Sequence, residues 1–205
     1  MTVFRARVAA ADAVASSADG RTAMATGGGG GYPSASLHTT KAILHPGEVN
    51  KIREIVQDPN VVVTRTDDPK LFVWHTLRQP DRSDEGGPDA APSVPDLVLV
   101  GHSDVAEFAL ATSSAATFVA SGGRDEKVLV WSLADAEVLS SSSSKPSSSS
   151  SSASSSKELK PRSTFVGHSA AVEDVCFRPG SSDLLASVGD DGALLLWDSR
   201  IGGDA

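Results

Sequence analysis

Four residue types recur three times in this 205-residue chain at one spacing: His45, Thr64, Asp68, Trp74; then His102, Ser121, Asp125, Trp131; then His168, Ser187, Asp191, Trp197. Each Trp follows its His by 29 residues, with the hydroxyl residue ten positions and the Asp six positions before the Trp. A hydroxyl, an imidazole and a carboxylate are the parts of a hydrolase triad, in which the His takes the proton of an attacking Ser. That chemistry needs one accessible Ser on a strained turn of the Gly-x-Ser-x-Gly kind. Here the trio is triplicated and each hydroxyl ends an apolar run, which a structural role explains and catalysis does not. An Asp can accept from the His, the His can bond the hydroxyl, and the hydroxyl can accept from the indole N–H. The result is a closed polar network of the kind that buried turns require. The chain is therefore read as no enzyme; the catalytic alternative predicts labelling of Ser121 or Ser187 by a hydrolase probe. The five His have no Cys or His partner at zinc spacing. Gly27 to Gly31 lacks the strand and Lys of a phosphate loop, so neither a metal nor a cofactor is expected.

The elements that must carry these groups read as strands. A half-apolar stretch follows each His: Val49 to Val56, Val105 to Ala111 and Val172 to Phe177. A second run ends in the hydroxyl (61–64, 118–121, 184–187), a polar turn carries the Asp, and a third run climbs to the Trp. A fourth fits before the second and third His, at Leu97 to Val100 and Ser163 to Val166. Short β-branched runs bounded by Gly, Asp, Asn and Pro are strand signals. Four short antiparallel strands per repeat make the blade of a β-propeller, so the spacing predicts an all-β fold with about three four-stranded blades.

Composition divides the chain further. Residues 1–36 are a low-complexity segment with a strand remnant or a disordered tail at Thr2 to Val8, and 37–77 form the first repeat. Residues 78–96 are a flexible insertion, 97–139 the second repeat, 140–158 a Ser-rich linker, and 159–205 the third repeat. The low-complexity stretches offer too little apolar side chain to offset the entropy of ordering. Arg5, Arg7 and Arg21 among many Ala give the first residues a faint likeness to an organellar transit peptide. Propellers close with four to eight blades, and three leave strand edges and apolar faces uncovered. The chain is thus expected to be a truncated piece of a longer ring. A net charge of -8 argues against nucleic-acid backbones and favours basic partners. Cys176 is alone, which fits a reducing compartment, and no apolar run reaches the ~18 residues of a membrane span.

Gly101-His102, Gly167-His168 and Trp197-Asp198 give the chain its resemblance to the WD-repeat family, with Leu44-His45, Trp74-His75 and Trp131-Ser132 as degenerate forms. The stretches Ile43 to Arg53, Pro95 to His102, Val172 to Val175, Ser187 to Asp191 and Leu196 to Arg200 resemble the MSI-type histone-binding branch, related to retinoblastoma-binding chromatin subunits. Ala106 to Ala111 and Ser121-Gly122-Gly123 with Asp125 are most similar to the plant FVE branch, which includes a flowering-time regulator. The resemblance implies a seven-bladed ring in the nucleus, serving as a histone-binding scaffold subunit of deacetylase, Polycomb-type and chromatin-assembly complexes.

In that family histone H4 is held by an N-terminal helix and a late loop, neither of which is in this sequence, so the H3 tail is the implied partner. Its site is the top face, three and five residues after each repeat His: Glu48 and Asn50, Val105 and Glu107, Ala171 and Glu173. Glu48, Asn50 and Glu173 match the family pattern, whereas Val105 replaces an acid and Glu107 an aromatic. Carboxylates converging there would make charge-assisted bonds with Arg and Lys of a tail; the alternative is that they are solvated loop charges. Trp197-Asp198-Ser199-Arg200 also resembles the WDxR box that docks on the cullin-RING ubiquitin ligase adaptor, with Asp198 and Arg200 as the contacts. The plain alternative is that these residues end a blade. The Ser-rich insert is read either as a phosphorylation substrate or as a passive linker.

Overall fold

The apolar runs that end in the hydroxyl and in the Trp pair with each other in all three repeats. A computed structural model describes residues 2–7, 36–85, 90–105, 108–136 and 156–201, the first two strands by backbone only up to residue 38. Glu107 and most of the Ser-rich linker lie outside the described residues. The strands are β1 (Thr2–Arg7), β2 (Ser36–Ala42), β3 (Lys51–Ile55), β4 (Asp58–Arg65), β5 (Leu71–His75), β6 (Leu97–Leu99), β7 (Leu110–Thr112), β8 (Phe118–Gly122) and β9 (Lys127–Ser132). After a single 3-10 turn at Leu133–Asp135 come β10 (Lys157–Leu159), β11 (Ser163–Val166), β12 (Val172–Phe177), β13 (Leu184–Gly189) and β14 (Leu194–Asp198). The fold is all-β, as its repeats predict.

Three of the four sheets are propeller blades. Blade 1 runs β3-β4-β5-β6 with β10 outside it, blade 2 runs β7-β8-β9-β11, and blade 3 runs β12-β13-β14. The fourth sheet is the antiparallel ribbon of β1 and β2. The strand before each later His closes the blade of the repeat before it: β6 pairs with β5, and β11 with β9. Blade and sequence repeat are therefore offset by one strand, which stitches neighbouring repeats together through backbone hydrogen bonds.

Side-chain alternation sets the stacking. On β5, Leu71 and Val73 join Val61, Val63, Leu97 and Leu99 in a core shared with Leu110, Val119, Leu129 and Trp131 of blade 2. Phe72 and Trp74 face the opposite way, against Ile43 and Val98. On β9 the split repeats: Leu129 and Trp131 face blade 1, while Val128 and Val130 meet Phe165, Val175 and Leu185 toward blade 3. Burial on both faces explains why these runs read as continuous apolar stretches. Each such side chain contributes about 1.5–3 kcal/mol of burial. Blade 3 is covered on one face only, and on β14 Leu194 and Leu196 are 65% and 78% exposed.

The insertion at 78–96 is held down over its described residues, because its polar groups find partners that composition does not reveal. Gln79 Nε2 donates to Asp96 Oδ2 at 2.9 Å and to the Val94 carbonyl at 3.0 Å. Asp96 also accepts from the His75 amide, and the Ser93 amide donates to the Leu44 carbonyl. Thr76, Gln79 and Ser93 are buried as a result.

Candidate functional site: the polar quartets and the inner rim

Each quartet draws on four local elements: the segment before the inner strand brings the His, the end of the second strand the hydroxyl, the turn the Asp, and the third strand the Trp. In blade 3 the network is complete. His168 Nδ1 lies 2.8 Å from Asp191 Oδ2 and its Nε2 lies 2.7 Å from Ser187 Oγ, which also accepts from Trp197 Nε1 at 2.8 Å. Asp191 accepts further from the amides of Ser169 and Ala193, and these two backbone bonds with the His168 bond hold its carboxyl down at about 2.

Blades 1 and 2 each depart from the closed network by one bond. In blade 2, His102 reaches Asp125 at 2.9 Å and Ser121 at 3.2 Å, but the Trp131 indole donates to the Val100 carbonyl at 3.1 Å instead of to Ser121. In blade 1, Thr64 Oγ1 bonds His45 Nε2 at 2.8 Å and accepts from Trp74 Nε1 at 2.9 Å. Asp68 stays outside this network: its carboxylate caps its own turn at the Lys70 amide, and the Gly47 carbonyl takes its place on His45 Nδ1 at 3.1 Å. The physical reason is local. A carbonyl two residues along reaches the same nitrogen, so the imidazole is satisfied without the acid.

Thr64, Ser121 and Ser187 are all buried, and each oxygen is engaged by its His. Among the described residues no group of three His, Cys, Asp or Glu could hold a metal ion.

Burial lowers the pKa of His45 and of His102, in the latter case against the opposing pull of Asp125. For Asp125, burial raises the pKa, but the bonds from His102 and from the Ser103 and Lys127 amides outweigh it and hold the carboxyl below its usual range. Imidazoles kept neutral by the fold give stability that is fully present above about pH 6.5 and is lost as pH falls through their lowered values. The carboxylates give stability present above about pH 3.9 and lost as pH falls through their lowered values, about 2 for Asp191. Chemical denaturation midpoints should therefore be level from pH 8 to 7 and fall in two stages on acidification, the first setting in below about pH 6.5; a midpoint that rises on acidification to pH 5.5 would contradict the assignment.

Arg65 is a functional candidate that motif spacing does not reveal. It ends β4, shares the parity of Val61 and Val63, and so points into the interface with blade 2, where it is 0% exposed. Its Nη1 makes one long bond of 3.4 Å to the Pro69 carbonyl, while Nε and Nη2 have no partner among the described residues. Burial pushes the guanidinium down to about 10, against the attraction of Asp125 and Asp68. Period-two alternation from Val61 is the sequence signal that places it in the core.

The inner-rim residues lie on the segments that lead into the first strand of each blade. Glu48 is exposed in the bend after His45, and Asn50 is half-buried, with its amide donating to the Arg65 carbonyl at 2.9 Å. Glu173 is exposed on β12, next to Asp174, whose carboxylate meets Lys51 Nζ of β3 at 2.8 Å. This ion pair joins the innermost strands of blades 1 and 3, placing Glu173 and Glu48 on segments that converge. Val105 and Ala171 are half-buried, and Glu107 lies outside the described residues.

Asp198 and Arg200 differ from the free contact expected of a docking box. Arg200 is exposed, but its Nε donates to Asp198 Oδ1 at 2.9 Å and its Nη2 to Asp198 Oδ2. The guanidinium fork closes on its own turn, and that pairing holds Asp198 at about 2.

Comparison with known proteins agrees with this architecture. The family described as "WD domain, G-beta repeat" matches residues 94–132 and 159–198, which enclose the second and third hydroxyl, Asp and Trp sets. The chain is 44% identical over 169 residues to the WD-40 repeat-containing protein MSI4 of Arabidopsis thaliana, covering 79% of this chain and 33% of MSI4. It is 31% and 30% identical to the histone acetyltransferase type B subunit 2 of Aspergillus fumigatus and of Aspergillus oryzae, in each case over 83% of this chain and 36% of the relative. The chain spans about a third of the length of these curated relatives. Quartets, blades and relatives converge: the chain carries WD40 repeats and is similar to the WD-40 repeat-containing protein MSI4.

Proposed function

We propose that the chain acts as a non-enzymatic, histone-binding part of a nuclear chromatin scaffold, taking the basic H3 tail on its inner rim. The observation that carries this reading is the pair of exposed carboxylates, Glu48 and Glu173, on segments drawn together by the Lys51–Asp174 ion pair. Two relatives bear the name of a histone acetyltransferase subunit, which supports association with chromatin-modifying complexes. Asn50 adds an amide beside Glu48, and Glu107 of the second repeat is the further acid of this reading. Lys and Arg of an extended tail would meet these acids in charge-assisted bonds worth about 1.5–3 kcal/mol each.

The test is calorimetric titration of an unmodified H3 tail peptide into the wild-type chain and into Glu48→Gln and Glu173→Gln. Each single change should weaken binding about tenfold, in proportion to the bond lost. Equal affinities across the three proteins would reject the site.

Docking on a cullin-RING ligase adaptor through Asp198 and Arg200 is the second reading. It rests on the exposure of Arg200 at the end of blade 3, and it requires the Asp198–Arg200 pair to open. Adaptor co-purification that is lost in Arg200→Ala would favour it over the histone reading.

A further inference from the structure

Among the described residues, every strand pair is antiparallel except one. β10 runs parallel to β6, with Lys157, Glu158 and Leu159 opposite Leu97, Val98 and Leu99. Blade 1 already has its four strands without β10, so this short segment is an addition to a finished outer edge. Such an edge presents a row of backbone donors and acceptors that an extended chain can pair with.

The attachment is slight and chemically defined. Leu159 is the one side chain of β10 that packs inward, against the core between blades 1 and 2. Glu158 meets Lys70 Nζ at 3.8 Å with both side chains about half exposed, and Lys157 is exposed. The Val100 amide donates to the Leu159 carbonyl at 3.0 Å, and Pro161 then crosses over Gly101. Gly101 has φ +147, and a Cβ there would lie 3.0 Å from both Pro161 and Leu129, so the crossing demands glycine. The Arg162 amide next donates to the Val130 carbonyl at 2.7 Å and leads into β11. Residues 157–162 thus form a strap from the outer edge of blade 1 to that of blade 2, far along the sequence from β6.

We propose that the outer edge of blade 1 is a strand-accepting peptide site, held in cis by Lys157–Leu159, and that it takes an extended segment of a partner protein with an acidic residue followed by Leu. Strand addition to an open edge draws affinity from backbone bonds and specificity from alternate side chains. Here the apolar anchor is the position of Leu159, and the acid is the partner of Lys70. The cis segment competes from a high effective concentration because it is tethered, so a free peptide gains the edge only when the cis strand is weakened. This surface lies on the outer perimeter and is independent of the inner-rim carboxylates.

The probe is a fluorescent peptide with the sequence of residues 156–162, Ser-Lys-Glu-Leu-Lys-Pro-Arg, titrated into the full chain, into Leu159→Asp, and into a milder variant, Leu159→Ser. Both variants should bind the peptide at least tenfold more tightly than wild type, and a peptide with Asp in place of its Leu should lose that gain. Protection of the β6 amides from hydrogen exchange should fall in the variants and return on adding the peptide. Equal binding to wild type and variants, or no binding to a variant that melts as wild type does, overturns the proposal. A wild-type dimer that dissociates in Leu159→Ser would place β10 on a second copy and overturn cis occupancy.

Discussion

Replacing His102 by Ala should lower the unfolding free energy by about 3 kcal/mol, while the same change at His45 should cost about 1 kcal/mol. The difference comes from what each deletion leaves behind. His102 is fully enclosed as a side chain, and so nearly is Asp125, its partner at 2.9 Å. Without the imidazole, the carboxylate loses its side-chain partner in a site packed against a second blade, and Ser121 loses its bond as well. The buried guanidinium of Arg65 attracts Asp125 but makes no hydrogen bond to it. His45 is only half-buried, and its Nδ1 partner is a backbone carbonyl next to solvent. Removing it costs the Thr64 bond and some packing against Phe72 and Trp74, with no charge stranded. Urea denaturation of both variants at pH 7.5 reads the two numbers; equal losses would mean that the acid in blade 2 carries no weight.

Gly122→Ala should cost about 2–3 kcal/mol although it adds a single carbon, because the blade 2–3 interface has no room for it. A Cβ on Gly122 would fall 2.3 Å from Val172 Cγ1 and 2.6 Å from its Cβ. Both residues are buried, and backbone bonds fix both sides of the contact: the Gly122 amide donates to the Ala109 carbonyl, and the Val172 amide to the Gly123 carbonyl at 3.0 Å. The clash cannot be relieved by a rotamer, since one of the atoms it meets is the Cβ of Val172. Trimming the neighbour should recover part of the loss. In a double-mutant cycle with Val172→Ala, the two single losses should exceed the double loss by about 1 kcal/mol or more. Strict additivity would show that the blades separate easily and that their contact is looser than these distances.

Much of this architecture was legible in the sequence because it is written three times. A single His–Asp pair has many explanations, but the same four residue types at one spacing have few. The apolar runs at 61–64, 118–121 and 184–187 became β4, β8 and β13, since short apolar runs bounded by polar turns have no better use than a strand inside a blade. Less legible was which blade a strand would join. Leu97 to Leu99 stands next to His102 in sequence, yet its partner is β5, because pairing direction depends on the path of the chain and not on composition. The insertion at 78–96 looked unstructured by its Pro, Asp and Gly, but Gln79 and Asp96 supply side-chain bonds that a count of apolar residues ignores.

The quartets show the same limit at atomic scale. Spacing brought His, hydroxyl, Asp and Trp together in blade 3, but it could not say that Gly47 would outcompete Asp68 for His45, or Val100 outcompete Ser121 for Trp131. Those outcomes turn on backbone carbonyls, which every residue carries and no motif marks. Arg65 was overlooked for a related reason: a cation at a core position breaks the rule by which core positions are found.

The central claim is that the recurrent imidazoles are oriented joints within blades, and that any binding belongs to the surfaces the blades hold up. Imidazole nitrogen resonances followed from pH 8 to 5 test it most directly. The account predicts that His45, His102 and His168 each carry their proton on Nδ1, donating to Gly47, Asp125 and Asp191, with Nε2 accepting from Thr64, Ser121 and Ser187, and that His45 and His102 resist protonation below pH 6.5. Rings protonated on Nε2 instead, with His45 and His102 titrating near 6.5 as free histidines do, would contradict it.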